Sequence, residues 1–506
     1  MSAARAADAL GRLIEAAEHQ PGRVLLIAGE RRYGFGEFLA HAAGLVRRLR
    51  CNGFARGDRV ALYLDDYDSF FVAMIGVWLA GGVVVPLNTS LPPSSIEWLI
   101  GKARPAFVLV PGDEVFPAGV SPEGPRRLVV DLGASAVPAA AVGAAESDAC
   151  TPVAPDEPAV IMFTSGTTGV PKGVLQTLAG VLGNAGRVAD ELGLTADDRV
   201  FINTPPYFTS GICHFLTLLS AGGSTAGNQG FFFGQELLAQ MTELGCTGFG
   251  GAPAHLVRVV EPIDEVVDPG CLRFWVSSGD HLPVSTIEKM RAVLPGVALY
   301  NMYGLTEVSG RLCVLPPAEI ERRRGSVGRP LAGMTGTVRA PDGAPAPAGE
   351  VGEIFVEGDL VMQGYLDEPE LTAKALTALG FKTGDFGRQD EDGYVWIAGR
   401  KDDIFKRGGE KVSAISVQQA VMSLDAVADA AVLAVDDMIM GKVPVAFVVP
   451  AEPETFKRSA VMRELKRILP ATWLPSRVVQ LAEIPRTGSG KPIRAELLAR
   501  LDGNRA

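Results

Sequence analysis

The sequence predicts an α/β protein: a large N-terminal domain of layered α/β sheets with a small β-rich subdomain, followed by a small α+β C-terminal domain. Three observations lead there. Helix-like and strand-like runs alternate through most of the first 300 residues, the pattern of helices packed on a largely parallel sheet. Between about 325 and 396 the texture changes to short apolar runs separated by Gly, Pro and Asp turns. A final stretch of about 100 residues alternates again and is long enough for a core of its own.

The first alternation runs from 33 to about 110 as "GEFLAHAAGLVRRLRCNG", "DRVALYL", "SFFVAMIGVWLAGG", "VVVPLN", "SIEWLIGKA" and "AFVLV". Residues 70–87 carry no charge, a length at the edge of a membrane span. Gly81, Gly82 and Pro86 interrupt the run, so a buried helix followed by a strand is expected, with no transmembrane segment. The Pro- and Ala-rich residues 117–158 read as a surface connection. Alternation resumes with "DRVFINT", "HFLTLLSAGG", "ELLAQMTELG", "HLVRVVE", "RFWVSSG" and "VALYNMYG". The β-rich stretch includes "PDGAPAPAG", "VGEIFVEG" and "DEDGYVWIAG"; after "GRKDD" come a helix-like stretch at 416–424, strands "DAAVLAV" and "VPVAFVVP", the helix "KRSAVMRELKRIL" and the strand "RVVQLAEI". The expected boundary divides 1–401 from 402–506.

Composition narrows the function classes. With 47 Lys+Arg against 58 Asp+Glu the net charge is −11, which lacks the basic footprint of a nucleic-acid binder. Cysteines 51, 150, 213, 246, 271 and 313 form no C-x-x-C pair and no metal-ligand spacing with the five histidines. They read as reduced, mostly buried thiols of a cytoplasmic protein. Arg5, Asp8, Arg12, Glu15 and Glu18 break up any signal-peptide core. The oligomeric state is left open.

The first chemical signal is "TSGTTGVPKG" at 164–173, after the apolar run "AVIMF". Glycines let backbone N–H groups turn toward one anion, Ser165, Thr167 and Thr168 add hydroxyls, and Lys172 adds a charge. A flexible surface turn is the competing reading. The Walker A spacing is absent, because Pro171 precedes the lysine and Gly173 follows it.

Five stretches in order resemble the adenylate-forming superfamily of acyl-CoA synthetases, luciferases and peptide-synthetase adenylation domains. They are "FTSGTTGVPKGV", "YNMYGLTEVSG", "FKTGDFG", "YVWIAGRKDDIFKRGGEKVS" and "PRTGSGKPIRAEL", and "GDRVALYL" and "AGGVVVPLN" extend the match over nearly the whole chain. The resemblance implies ATP, Mg²⁺ and coenzyme A as participants. A carboxylate attacks the α-phosphate of ATP to give an acyl-adenylate and pyrophosphate, and a thiol then displaces AMP. It also implies a mobile C-terminal domain.

The resemblance assigns roles residue by residue. Thr164, Ser165, Gly166, Thr167, Thr168, Gly169 and Lys172 match the segment that holds the β- and γ-phosphates, with Thr164 near Mg²⁺. Tyr303 matches the adenine-stacking ring, Gly304 and Thr306 the turn at the phosphates, and Glu307 the Mg²⁺ carboxylate. Asp385 matches the acceptor of the ribose hydroxyls, Arg400 a second nucleotide contact, and Asp280 in "SSGDHLP" a partner for the adenine amino group. Asp402 matches the hinge, and Gly408 and Gly409 the loop along the pantetheine channel. Lys491 matches the lysine that bridges substrate carboxylate and α-phosphate. Alone, each has a bland reading: core packing for Tyr303, a turn for Glu307 or Asp385, a solvated side chain for Lys491.

No acidic residue occurs in "PPYFTSGICHF", so the ammonium of an α-amino acid would stand unpaired. No carrier domain follows within the 506 residues. The expected activity is therefore acid–CoA ligation. Phe208, Thr209, Cys213, Phe249, Gly251 and Val308 are the candidate pocket residues, mostly apolar, which suits a medium-sized hydrophobic or aromatic acid. Two features depart from the family pattern. "AISVQQ" follows the glycine pair where acyl-CoA ligases usually carry Pro and an acidic pair, and Thr209 stands where many relatives carry histidine. Loading of an acyl-carrier protein and non-catalytic adenylate binding are the alternatives.

Overall fold

The computed structural model describes residues 9–112, 125–130, 132, 152–165, 171–227, 234–280, 282–400, 404–407, 410–437, 440–486 and 492–502. Four sheets organise the chain. The nine-stranded sheet has six parallel strands at its centre, among them Arg199–Ile202, Gly248–Gly251, Phe274–Ser278 and Ala298–Tyr303. The seven-stranded sheet pairs Arg59–Leu62 in parallel with Val83–Pro86 and Phe107–Val110, and continues through the antiparallel pair Pro158–Ser165 and Pro171–Thr177 to the edge strand Gly364–Tyr365.

The uncharged run is explained by what surrounds it. The helix Tyr67–Ala80 is buried at all 14 positions and touches strands of both large sheets. A helix walled in by two layers has no solvent face and needs no polar stripe. Gly81, at φ 88°, ends it in the left-handed conformation that glycine adopts without strain. Trp78 is fully buried and satisfies its indole by donating Nε1–H to the Ala159 carbonyl at 2.9 Å. The neighbouring helix Thr209–Ala221 joins the same core through Phe215, whose ring stacks on Phe71 at 4.1 Å. Among the described residues no helix is long and apolar enough to cross a membrane.

The β-rich stretch forms a five-stranded antiparallel sheet from Met334–Arg339, Gly352–Gly358, Leu376–Thr377, Gly380–Gln389 and Val395–Arg400. A further five-stranded sheet follows, built on the hairpin Val427–Asp437 with Gly441–Pro450. One of its faces packs Val417, Val421 and Leu465, and the other packs Phe447, Leu497 and Leu501, in two clusters separate from those of the large sheets.

One expectation fails within the stretch read as a surface connection. Arg126–Val129 is a strand, paired in parallel with Phe107–Val110. It is an edge strand with two exposed arginines, so it lacks the apolar run that marks an interior strand.

The Phe71–Phe215 stack ties two helices at the centre of the layers. Phe215→Ala should lower unfolding free energy by about 3–5 kcal/mol, the range for emptying a buried aromatic site. Denaturant titration followed by tryptophan fluorescence measures it. A loss below about 1 kcal/mol would mean that the two helices are held by other contacts.

Candidate active site

The strand Ala298–Tyr303 delivers its C-terminal end to the mouth of the nine-stranded sheet, where ligands of open α/β sheets bind. There the chain folds back sharply. A Cβ on Gly304 would stand 1.7 Å from the Gly310 carbonyl oxygen, so only glycine fits. Thr306–Val308 form a short 3₁₀ turn directly after it.

Two groups of side chains meet this segment. On one side the Tyr303 hydroxyl donates to Asp385 Oδ2 at 2.5 Å. Asp385 is 5% exposed and lies opposite Arg400 in the antiparallel pair of the β-rich sheet, with Arg400 Nε 3.3 Å from its Oδ1. Burial, and then the adjoining carboxylate, push the Tyr303 hydroxyl well above its ordinary pKa, which keeps it a donor. Arg400 remains exposed.

On the other side stands the glycine-rich segment. Its flanks are two antiparallel strands, Pro158–Ser165 and Pro171–Thr177, with Thr164 opposite Lys172. Lys172 Nζ lies 5.5 Å from the centre of the Tyr365 ring. Tyr365, in the short strand Gly364–Tyr365 paired with Pro171–Thr177, donates its hydroxyl to Glu307 Oε1 at 3.0 Å. Burial and the Glu307 charge raise the pKa of that tyrosine too. Gln176 donates to the Thr306 carbonyl, Met362 N–H donates to the Glu307 carbonyl at 2.8 Å, and the hydroxyls of Thr209 and Thr306 are 3.2 Å apart.

Residues from four distant parts of the chain, Gln176, Thr209, Met362 with Tyr365, and Asp385, thus converge on 303–307. The donors around Thr306 are oxygens: the Glu307 carboxylate and the hydroxyls of Thr306 and Thr209. Magnesium fits this set, since it takes one or two carboxylates and fills its remaining positions with water and phosphate. Among the described residues no group of three His, Cys, Asp or Glu gathers to hold a metal by itself.

Gly166, Thr167, Thr168, Gly169, Asp402, Gly408, Gly409 and Lys491 lie outside the described residues, as does the Ser165 side chain. The ends of the 487–491 segment are placed. Arg486 bridges to Pro492 across it, pairs with Asp429 at 2.8 Å, and reaches Asp280 Oδ2 at 3.5 Å. Asp280, the expected adenine partner, therefore also anchors the C-terminal sheet.

The candidate pocket residues divide between two faces of the nine-stranded sheet. Thr209 and Cys213 lie one turn apart on Thr209–Ala221 and face the 306–309 turn, where Cys213 Sγ is 3.5 Å from the Ser309 carbonyl. Phe208 stands half-buried at the start of that helix, and Val308 is fully buried. Phe249 belongs to the other face, stacked on Trp275 at 4.0 Å in a separate core cluster. Gly251 shares that face, since a Cβ there would meet the Phe249 and His255 rings. The expected common pocket is corrected accordingly: alternation along the strand turns Gly250, not Phe249, toward His214 of the helix.

Sequence reasoning missed Tyr365, Gln176 and Arg486. Tyr365 and Gln176 read as ordinary strand residues, and only strand pairing brings them to Glu307 and Thr306. Arg486 lay within a quoted motif but carried no role.

The AMP-binding enzyme family matches residues 13–366, and its AMP-binding enzyme C-terminal domain matches 416–491. A sulfoacetate–CoA ligase of Cupriavidus necator is 31% identical over 471 residues, covering 92% of both chains. A 2-succinylbenzoate–CoA ligase of Bacillus licheniformis is 30% identical over 96% of this chain and 98% of its own. The o-succinylbenzoate CoA synthetase of Bacillus subtilis, solved with its acyl-adenylate intermediate, superposes with a TM-score of 0.84 at 27% identity, covering 96% of this chain and 97% of that one. The same synthetase is also solved with ATP and a magnesium ion. The chain belongs to the AMP-binding enzyme family, the adenylate-forming ligases.

Proposed function

We propose that this protein is an ATP-dependent carboxylic acid–CoA ligase, acting in two steps on a medium-sized hydrophobic or aromatic acid. The observation that carries the reading is the convergence on 303–307, which joins an aromatic ring and a ribose-type acceptor on one side to a lysine, a carboxylate and hydroxyls on the other. ATP laid across it has its base at Tyr303 and Asp280, its ribose hydroxyls at Asp385, and its phosphates at Lys172, Thr306 and the 164–169 hairpin. The chemistry named for the relatives, CoA ligation of sulfoacetate and 2-succinylbenzoate, agrees with this arrangement.

Each side chain has a definite task in the first step. Asp385 accepts both ribose hydroxyls as an acceptor-only group, and Tyr303 and Arg400 hold it in place. Lys172 offsets phosphate charge beside the Tyr365 ring. Glu307, with Thr164, holds Mg²⁺, which neutralises charge on the phosphates when bound. Lys491 neutralises the incoming carboxylate and the α-phosphate as they approach. Thr209, Cys213, Phe208 and Val308 line the entry for the acid.

In the second step the C-terminal domain, 402–506, turns about Asp402 and brings Gly408 and Gly409 along the pantetheine arm. A second reading keeps an acyl-carrier protein as the thiol donor, because "AISVQQ", at the start of Ala414–Met422, departs from the acyl-CoA ligase pattern where the thioester-forming contact is expected. Mass spectrometry of the product formed with CoA or with a carrier protein separates the two.

Glu307→Gln should lower acid-dependent ATP–pyrophosphate exchange by about 10²-fold or more while the protein stays folded by circular dichroism. Near-normal exchange at low Mg²⁺ removes Glu307 from the metal.

Asp402→Pro fixes φ at the hinge. Pyrophosphate exchange should survive and thioester formation should collapse, whereas equal loss of both would make Asp402 a structural residue.

Lys491→Ala should lose about 10²-fold or more in adenylation, yet convert CoA and synthetic acyl-adenylate to acyl-CoA at close to the wild-type rate. A folded variant that loses both steps equally contradicts the role, as does one that loses neither.

A further inference from the structure

Beyond the phosphate end of the site, the helix Thr209–Ala221 runs alongside the segment 306–311. Thr209 meets Thr306, Cys213 meets Ser309 one turn on, and His214 Nε2 then lies 3.4 Å from Arg311 Nη2. Arg311 is 6% exposed. Its backbone is fixed by Asn184, which accepts from Arg311 N–H at 3.1 Å and donates to the Arg311 carbonyl at 2.6 Å. The guanidinium is thereby sent inward, to a small cavity lined by Cys213, His214, Thr217, Val276 and Met302 among others.

The charge balance there is incomplete. No Asp or Glu lines the cavity, and among the described residues no carboxylate pairs with Arg311. Among the described residues its side-chain hydrogen-bond partner is His214, whose pKa burial pushes down to about 3, with the arginine charge adding to the effect. His214 is therefore neutral and accepts a single N–H. A guanidinium has five N–H donors, and a buried cation without a counter-charge is costly. An arginine kept only to fill this space would be a poor choice beside a methionine.

We propose that Arg311, oriented by His214, receives a second acidic group of the substrate, a carboxylate or sulfonate at the end remote from the carboxylate that is activated. This rests on the ligase reading and narrows its substrate class to dianionic acids with an apolar middle. The five residues from Thr209 to His214 rise about 7.5 Å along the helix, which sets the spacing of the two acidic groups. An adipate- or suberate-sized chain, or a para-substituted ring, has that reach. The free space beside Arg311 is about 10 Å³, the scale of one water molecule, so a carboxylate or sulfonate reaches Arg311 only as the side chains around it draw apart.

The test compares matched pairs: octanoate with suberate, and phenylacetate with its 4-carboxy and 4-sulfo derivatives. Two readouts are taken, pyrophosphate exchange and the melting temperature with each acid in the presence of ATP and Mg²⁺. The wild type should favour the dianions by at least about 10²-fold in kcat/KM and up to about 10⁴-fold, since a site built for a polar group rejects the analogue that lacks it. Arg311→Met should bring that ratio close to one, and Arg311→Lys should restore part of it. The preferred dianion, carboxylate or sulfonate, identifies the remote group.

A wild type that uses monoacids as well as dianions overturns the proposal and leaves Arg311 a structural plug. Absence of exchange with every acid refutes the ligase reading instead. The melting temperature then still decides: stabilisation by dianions alone, lost in Arg311→Met, supports the anion site, and its absence overturns it. If Arg311→Met does not fold, the wild-type ratio and the lysine variant give the answer.

Discussion

The hydrogen bond from Tyr303 to Asp385 joins the end of a strand in the nine-stranded sheet to the middle of the β-rich sheet. Everything that the site does depends on these two layers staying in register. Asp385 is a buried carboxylate, an arrangement that is costly without partners. Tyr303 is one such partner, a neutral donor, and Arg400 is another, a cation. The pair also fixes where the 304–308 turn begins, and that turn carries Thr306 and Glu307 to the hairpin strands. A shift of the β-rich sheet would therefore move nucleotide-facing and phosphate-facing groups apart together.

The layered core explains why such a joint can be held. Helices between the two large sheets are buried on most sides, with aromatic rings stacked across them and a tryptophan indole bonded to a strand carbonyl. Dense interiors deform little. The glycine at 304 lets the chain double back at a distance no side chain would permit, so the site sits where a rigid strand end meets a sharply folded turn. Across the gap, Arg486 brings the C-terminal sheet to Asp280, at the end of the neighbouring strand.

Much of the architecture was legible because alternation of apolar runs is a direct image of burial. The helix Tyr67–Ala80 and its following strand could be read from the glycines and proline that interrupt an uncharged run. The edge strand Arg126–Val129 could not, because pairing on one side only leaves no apolar signature. Motifs named the elements of the site but not its internal contacts. Tyr365 reaches Glu307 through strand pairing between positions about 190 residues apart, which no local pattern records. Phe249 was grouped with the pocket residues, because composition gives an apolar ring without its direction, and it packs in a separate cluster. The glycine-rich segment was readable as an anion loop, yet its hairpin flanks emerged only from the register of Thr164 with Lys172.

Attack of a carboxylate oxygen on the α-phosphate is the central claim, and isotope transfer tests it most directly. An acid labelled with ¹⁸O in its carboxylate is turned over with ATP and CoA, and the nucleotide and phosphate products are analysed by mass spectrometry. The account predicts one labelled oxygen in AMP for each acid consumed, with none in pyrophosphate. Label in inorganic phosphate alongside ADP would place the attack on the γ-phosphate and contradict the account.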